Sequence, residues 1–236
     1  MPSVDAVIPV YNEEHVLAQS VATLREFLKA NMPFPWRIVI ADNASTDRTL
    51  EVARRLETEY PEVQAIHLPQ KGRGRALRKA WLESDADILS YMDVDLSTDL
   101  ASYPPLIKAI AEEDYDISIG SRLKRGAHTT RSAKREFISR SYNLMIKLLF
   151  WHPFQDAQCG FKAISRRAAQ TLLPLVEDQA WFFDTELLLL AHLRGYRIKE
   201  IPVTWIEDPD TRVHIIQTAK EDIKGLLRLR FHPPSS

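Results

Sequence analysis

A single cysteine, Cys159, stands in 236 residues, which excludes an intrachain disulfide and a cysteine-built zinc cluster and suits a cytoplasmic setting. Net charge is also missing. The chain has 31 Lys and Arg against 32 Asp and Glu, a balance of −1, so overall charge gives no case for nucleic-acid binding. There is no run of 18 apolar residues, and none is expected to cross a bilayer. A β-rich run begins at Val4, where a leader would carry basic and then apolar residues, so no signal peptide is expected. Internal repeats are absent, and the only low-complexity stretch is the Pro233-Pro234-Ser235-Ser236 tail. With 45% hydrophobic and 27% charged residues, what remains reads as one soluble globular domain, or one with an appendage.

What is present is an alternation of elements. Val4 to Tyr11 is a β-rich run ending in Asn12-Glu13-Glu14, after which Val16, Leu17, Ser20, Val21, Leu24, Phe27 and Leu28 recur at helical spacing. Trp36 to Ala41 is a second run, closed by Asp42-Asn43-Ala44-Ser45-Thr46-Asp47 and a helix to about Tyr60. Val63 to Leu68 is a third, followed by Lys71-Gly72-Arg73-Gly74 and a helix through about Glu83; Ile88 to Met92 is the fourth. Tyr115 to Gly120 is a fifth. Strands alternating with helices predict right-handed βαβ units and a mostly parallel sheet flanked by helices. Ligands of such sheets bind outside the carboxyl ends of the strands. Tyr11, Asp42, Lys71 and Asp93/Asp95 all lie at such ends and should converge, whereas Asp85 and Asp87 should lie at the opposite edge.

Asp93-Val94-Asp95 is one of four Asp-x-Asp sequences, with Asp85-Ala86-Asp87, Asp114-Tyr115-Asp116 and Asp208-Pro209-Asp210. Its place at a strand end distinguishes it. Two carboxylates there can share a Mg²⁺ or Mn²⁺, a hard cation usually held by one or two carboxylates plus a substrate's phosphates. Lys71 to Gly74 opens a helix, where free N–H groups favour an anion, but it lacks the spacings of a P-loop or a dinucleotide fingerprint. Between Ser121 and Lys147 stand eight basic residues against one acid, Glu136. This stretch becomes an amphipathic helix that reads either as an attractor of anionic headgroups or as a solvated face.

Together Pro9-Val10-Tyr11-Asn12-Glu13, Asp42 to Asp47, Lys71-Gly72-Arg73-Gly74, Asp93-Val94-Asp95 and Gly120-Ser121-Arg122 resemble, in order, the family 2 inverting glycosyltransferases. The likeness is closest to the dolichyl- or polyprenyl-phosphate glycosyltransferases. Asp156 to Lys162, Trp181 to Glu186 and Pro202 to Trp205 fit the same group, so the resemblance runs from Val4 to about Leu227. It implies a GT-A type fold, with residues 1–213 as the glycosyltransferase domain (donor half about 1–120, acceptor half about 121–213) and 214–236 as a C-terminal helix and tail. It further implies that Pro9, Tyr11 and Glu13 line a nucleoside pocket, that Asp42 reads the base, and that Lys71 and Gly72 border the nucleoside and diphosphate. Asp93 and Asp95 would hold the metal, Asp95 directly and Asp93 nearer the sugar. Arg212, in a segment that closes over the donor, would pair with a phosphate, and His214 is a weaker candidate there. Arg122 and Arg135 would grip an acceptor phosphate, and Asp184 lies where hydroxyl-directed relatives place a base.

The resemblance therefore implies metal-dependent, inverting transfer of a hexose from a UDP- or GDP-sugar to a polyprenyl phosphate, with Asp93, Asp95, Arg122 and Arg135 carrying the chemistry. UDP-glucose is favoured over GDP-mannose, because mannosyl members carry Asp-Ala-Asp-Leu-Gln where this chain has Asp93-Val94-Asp95-Leu96-Ser97. Partners implied are the donor, the lipid and a membrane surface at its cytoplasmic face, with room for a membrane-embedded partner and none for nucleic acid. The Ile215 to Phe231 stretch either lies on a bilayer or packs on the domain. Transfer to a sugar hydroxyl, a non-catalytic nucleotide-sugar-binding domain and a nucleotidyltransferase stay open as alternatives.

Overall fold

The computed structural model describes residues 1–130, 133–206 and 215–234, with the side chains of 133–135, 137 and 215–219 outside that description. The strands β1 (Val4–Val10), β2 (Trp36–Asn43), β3 (Val63–Leu68), β4 (Ile88–Met92), β5 (Ile117–Ser121), β7 (Phe161–Ser165) and β8 (Ile198–Pro202) form one sheet in the order β3-β2-β1-β4-β7-β5-β8. Pairs β1–β2, β2–β3, β1–β4 and β5–β8 are parallel, and β7 alone runs against its neighbours. A short parallel pair, β6 (His128–Thr130) with β9 (Thr204–Ile206), lies beside it.

Helices α1 (Leu17–Asn31), α2 (Thr49–Glu59) and α3 (Arg73–Leu82) are the crossovers of the first four strands; α4 (Tyr103–Ala111), α5 (Ala133–Phe150), α6 (Arg166–Leu172), α7 (Phe183–Leu193) and α8 (Ile215–Phe231) follow. A sheet covered on both faces needs strands that are apolar throughout. Accordingly β4 is buried at all five positions, and the Ser90 hydroxyl within it bonds the Asp5 carbonyl at 2.8 Å and the Tyr103 hydroxyl at 2.6 Å. One core, with Leu17, Leu24 and Tyr103, lies on one face; a second, with Trp81, Tyr91 and Phe183, lies on the other. On α1 the buried set Leu17, Ser20, Val21, Leu24 and Leu28 follows the stripe read from sequence.

Three departures from the sequence reading matter. Strand β2 runs two residues beyond Ala41, because Asp42 and Asn43 continue the ladder opposite His67 and Leu68. Strand β5 starts at Ile117, since the Arg197 carbonyl takes the N–H groups of both Asp116 and Ile117. Strand β7 has no counterpart in the sequence reading. Helix α8 packs on the domain: Asp222, Leu226 and Leu229 are buried, and a Cβ on Gly225 would overlap the Phe182 ring.

Candidate active site

The carboxyl ends of all the strands except β7 share one edge of the sheet, and β7 begins there. Asn12, Ala44 and Leu96, which follow β1, β2 and β4, have positive φ of 56°, 59° and 50°. Such conformations cost non-glycine residues about 1–3 kcal/mol each and gather at functional sites. The first two are held by stitching between loops: Asn12 N donates to Ser45 Oγ at 3.0 Å, and Thr46 N donates to Asn12 Oδ1 at 2.8 Å. Glu13 N donates to Thr49 Oγ1 at 2.7 Å. Asp47 takes the Thr49 N–H at the start of α2, at 3.0 Å, so Asp42 is not needed to cap that helix.

Asp42 is fully buried, and its Oδ2 lies 2.6 Å from His67 Nδ1. Its Oδ1 is buried with no hydrogen-bond partner among the described residues, a condition that normally requires explanation. Half-buried Tyr11 and Pro9 stand at the end of β1 next to it, with Pro9 opposite Ala41. Lys71 places its ammonium 3.7 Å from the centroid of the Tyr11 ring, a cation–π contact. Gly72 N donates to Asn43 Oδ1 at 2.6 Å, and a Cβ at Gly72 would stand 2.6 Å from the Gln179 carbonyl oxygen. Gly74 lets α3 close on Phe183, 2.6 Å from where its Cβ would be.

Arg73, in the first turn of α3, reaches Asp93 Oδ1 at 2.5 Å and lies 3.7 Å from Asp184 Oδ2. Its guanidinium stacks over Tyr91 at 5.1 Å and Trp181 at 5.0 Å. Burial opposes its charge, yet Asp93, Tyr91 and Asp184 hold its pKa above the ordinary value. Burial pushes the Asp93 carboxyl upward, against the pull of Arg73. A Cβ on Gly160 would overlap Asp93 Oδ2, so only glycine leaves room for that carboxylate. Asp95 is exposed and accepts from Ser97 N at 3.0 Å.

No group of three or more His, Cys, Asp or Glu placed to hold a metal ion occurs among the described residues. Two carboxylates on one strand end, one of them open to solvent, fit a cation that completes its shell with phosphate oxygens. They do not fit a closed all-protein cage.

Arg122 follows β5. Its Nε and Nη2 donate to the two oxygens of Asp156 at 2.8 and 2.9 Å, and its backbone N–H donates to the same carboxylate at 3.0 Å. Asp156 is fully buried, and burial, which would raise its pKa, is outweighed by Arg122, which holds it below the usual range. The Arg122 guanidinium lies 5.5 Å from the Trp205 ring. Trp205 bridges Thr98, and Ile206 N donates to Ser97 O at 3.0 Å, so the loop after Asp95 and the Arg122 side chain meet at β9. Arg135 is on α5, with its side chain outside the described residues; Arg212, His214, Asp208 and Asp210 are outside them altogether.

Asp184 is 4% exposed. Its Oδ1 receives the Tyr91 hydroxyl and lies 3.0 Å from Lys162 Nζ, which also donates to the Cys159 carbonyl at 2.5 Å. Burial pushes the Cys159 thiol up to about 12, so it is not a nucleophile. Asp85 sits at the far edge as expected, bonded to Arg37 at 2.9 Å beside the buried Asp5.

Sequence reasoning quoted Arg73, Asp156 and Lys162 inside motifs without giving them tasks, and passed over His67. For Asp156 a signal existed, a lone acid in an otherwise uncharged run. For His67, next to Leu68 at the end of β3, the only signal was the β2–β3 register.

This edge, with its glycine-opened helix, strand-end carboxylates and a sheet in which only β7 runs antiparallel, defines a GT-A type fold. The sequence profile of glycosyl transferase family 2 matches residues 5–173, and the chain belongs to that family. Glycosyltransferase AglD of Haloferax volcanii is 36% identical over 228 residues, which cover 94% of this chain and 35% of that protein. The dolichyl-phosphate beta-glucosyltransferase ALG5C of Trichomonas vaginalis is 30% identical over 220 residues, 89% of this chain and 65% of the relative. The chain thus spans about a third of the first relative and about two thirds of the second. In fold, the chain is similar to glucosyl-3-phosphoglycerate synthase from Mycobacterium tuberculosis, crystallised with Mn²⁺, UDP and phosphoglyceric acid. The TM-score is 0.75 at 16% identity, over 100% of this chain and 80% of that one.

Proposed function

We propose that the chain transfers a hexose from a nucleotide sugar, UDP-glucose first and GDP-mannose next, to a polyprenyl or dolichyl phosphate. The product is a β-linked lipid phosphosugar. The observation that carries this reading is the order of groups along one edge: the orphaned Asp42 oxygen, then the Gly72–Arg73 helix start, then Asp93 and Asp95. That is the order base, diphosphate and metal of a nucleotide sugar. Asp95, with Asp93, would hold a Mg²⁺ or Mn²⁺, which when bound neutralises charge on the diphosphate. Arg212 is kept as a phosphate contact from the segment outside the described residues, with Pro9, Tyr11, Glu13, Lys71 and Gly72 around the nucleoside. The halves at about 1–120 and 121–213, with the helix and tail at 214–236, remain part of the proposal.

A phosphate monoester is largely dianionic at pH 7 and attacks the anomeric carbon without a general base. The bond from that carbon to the diphosphate breaks as the new bond to the lipid phosphate forms on the opposite face. Arg122, oriented by Asp156, and Arg135 would hold the incoming phosphate. A hydroxyl acceptor would need Asp184 as base, but its Oδ1 is committed to Tyr91 and Lys162, and this argues for the phosphate. The names of the glucosyltransferase relatives support both glucose and the lipid acceptor.

No helix among the described residues is long and apolar enough to cross a membrane. Helices α5 and α8 pack together and leave Leu144, Leu148 and Trp151 beyond one, and Ile223, Leu227 and Phe231 along the other, exposed at helical spacing. Exposed Lys147, Lys220, Lys224 and Arg230 accompany them. Apolar stripes with basic neighbours fit an anionic bilayer surface, where the acceptor lipid resides; the cytoplasmic face is the side proposed.

The experiment supplies labelled UDP-glucose, GDP-mannose or a UDP-N-acetylhexosamine with polyprenyl phosphate and Mn²⁺. Label from UDP-glucose is expected in the organic phase with UDP released. Release of pyrophosphate, or label moving only into sugar acceptors, would overturn the reading.

A further inference from the structure

The Asp42–His67 pair carries a consequence for which base the donor bears. This rests on the reading above that Asp42 faces that base. In the β2–β3 ladder Asp42 and His67 are register partners, so their backbones are held together by the sheet. A carboxylate only accepts hydrogen bonds, so His67 Nδ1–H, 2.6 Å away, donates to Asp42 Oδ2. The carboxylate is thereby fixed in orientation, fully buried, with Oδ1 left unpartnered among the described residues.

We infer that His67 is a specificity-determining positioning residue: by occupying Oδ2 it leaves Asp42 a single acceptor, which suits uracil and disfavours guanine. Uracil presents one imide N–H on its pairing edge, flanked by two carbonyl oxygens, and one carboxylate oxygen satisfies it. Guanine presents N1–H and the N2 amine side by side and is matched by both oxygens of a carboxylate. With Oδ2 taken, the guanine amine lacks its acceptor. Turning the carboxylate to offer both oxygens would break the bond to His67, which the β2–β3 register holds opposite it. One unpaired buried donor costs about a factor of ten or more in affinity. His67 is itself partly exposed, at 37% of its side chain, so replacing it leaves the core intact.

The test is calorimetry of UDP and GDP binding in Mn²⁺ on the whole chain. The wild type should prefer UDP by about tenfold or more. His67→Ala should weaken UDP binding and shrink that preference several-fold, and His67→Leu, a second donor-free variant, should do the same. His67→Asn, which keeps an N–H donor near the Nδ1 position, should restore the preference. A UDP:GDP ratio unchanged in the folded Ala and Leu variants, or a wild type that prefers GDP, overturns the inference. Asp42→Ala separates this from the reading beneath it. If that variant binds UDP normally, the donor-pocket reading itself fails. If it loses UDP while the His67 variants keep the ratio, only the role of His67 fails.

Discussion

Arg73 and Asp93 are bound to each other: the guanidinium meets Asp93 Oδ1 at 2.5 Å, between the rings of Tyr91 and Trp181. The carboxylate proposed to serve a cation is already served by one from the protein. Metal and Arg73 therefore compete for it in the absence of donor. Arg73→Gln should bind Mn²⁺ about tenfold more tightly without nucleotide, roughly the worth of one charge-assisted bond, while turnover falls. Electron paramagnetic resonance of free Mn²⁺ reads this directly, and an unchanged affinity in a folded variant would remove the competition.

Gly160 faces the other oxygen of the same carboxylate. Gly160→Ala must displace Asp93, because the new methyl and Oδ2 cannot share the space. Misplacing a reacting group by about 1 Å can cost 10²-fold in rate, so kcat should fall by about that factor. UDP affinity, measured separately, should stay within a few-fold.

Arg122 has a structural partner as well as a proposed substrate. Removing it alone strands the buried Asp156 charge, at about 3–5 kcal/mol of stability. Arg122→Met combined with Asp156→Leu should recover much of that loss in urea unfolding. The double variant should still bind UDP and fail to transfer sugar to lipid phosphate. Full transfer in the double variant would limit Arg122 to holding the fold.

The exposed faces of α5 and α8 give a binding prediction. Leu148→Glu with Leu227→Glu should abolish co-sedimentation with phosphatidylserine-containing vesicles and leave the melting temperature within a few degrees. Vesicle binding equal to wild type would free this surface from any membrane role.

His152 gives a pH dependence. It is 1% exposed, stacked on Phe154, and neither ring nitrogen has a partner among the described residues. Burial pushes its pKa down to about 4 from 6.5. The unfolded chain takes up this proton first, so the associated stability is complete above pH 6.5 and lost as pH falls through 4. The loss is roughly 3 kcal/mol. His152→Phe should flatten unfolding free energy across that window, and an identical acid profile would dismiss the assignment.

The first four strands and their crossover helices were legible because each strand is a short apolar run closed by turn residues and each helix carries its own stripe. Their shared direction followed from the crossovers, and with it the meeting of Tyr11, Asp42, Lys71 and Asp93. What periodicity cannot carry is pairing across the chain. Phe161 to Ser165 is too short and, with Lys162 inside it, too polar to announce a central strand; its lysine is tolerable because Asp184 lies 3.0 Å away and the Cys159 carbonyl accepts from it. The same holds for Arg73 with Asp93 and for Arg122 with Asp156. Each is an ordinary surface charge in sequence and finds its partner only once the sheet brings distant segments together; Asp156 is then fully buried, while the Asp93 side chain stays 45% exposed.

Because β7 runs against its neighbours, the polypeptide departs from the cleft at Ser121 and returns to it at Gly160. Arg122 and Asp156 fasten the two ends of that excursion to each other. Closing a longer or shorter detour between fixed ends alters its entropy only logarithmically. The stretch between them can therefore lengthen or shorten at little entropic cost while its two anchors stay clasped at the cleft.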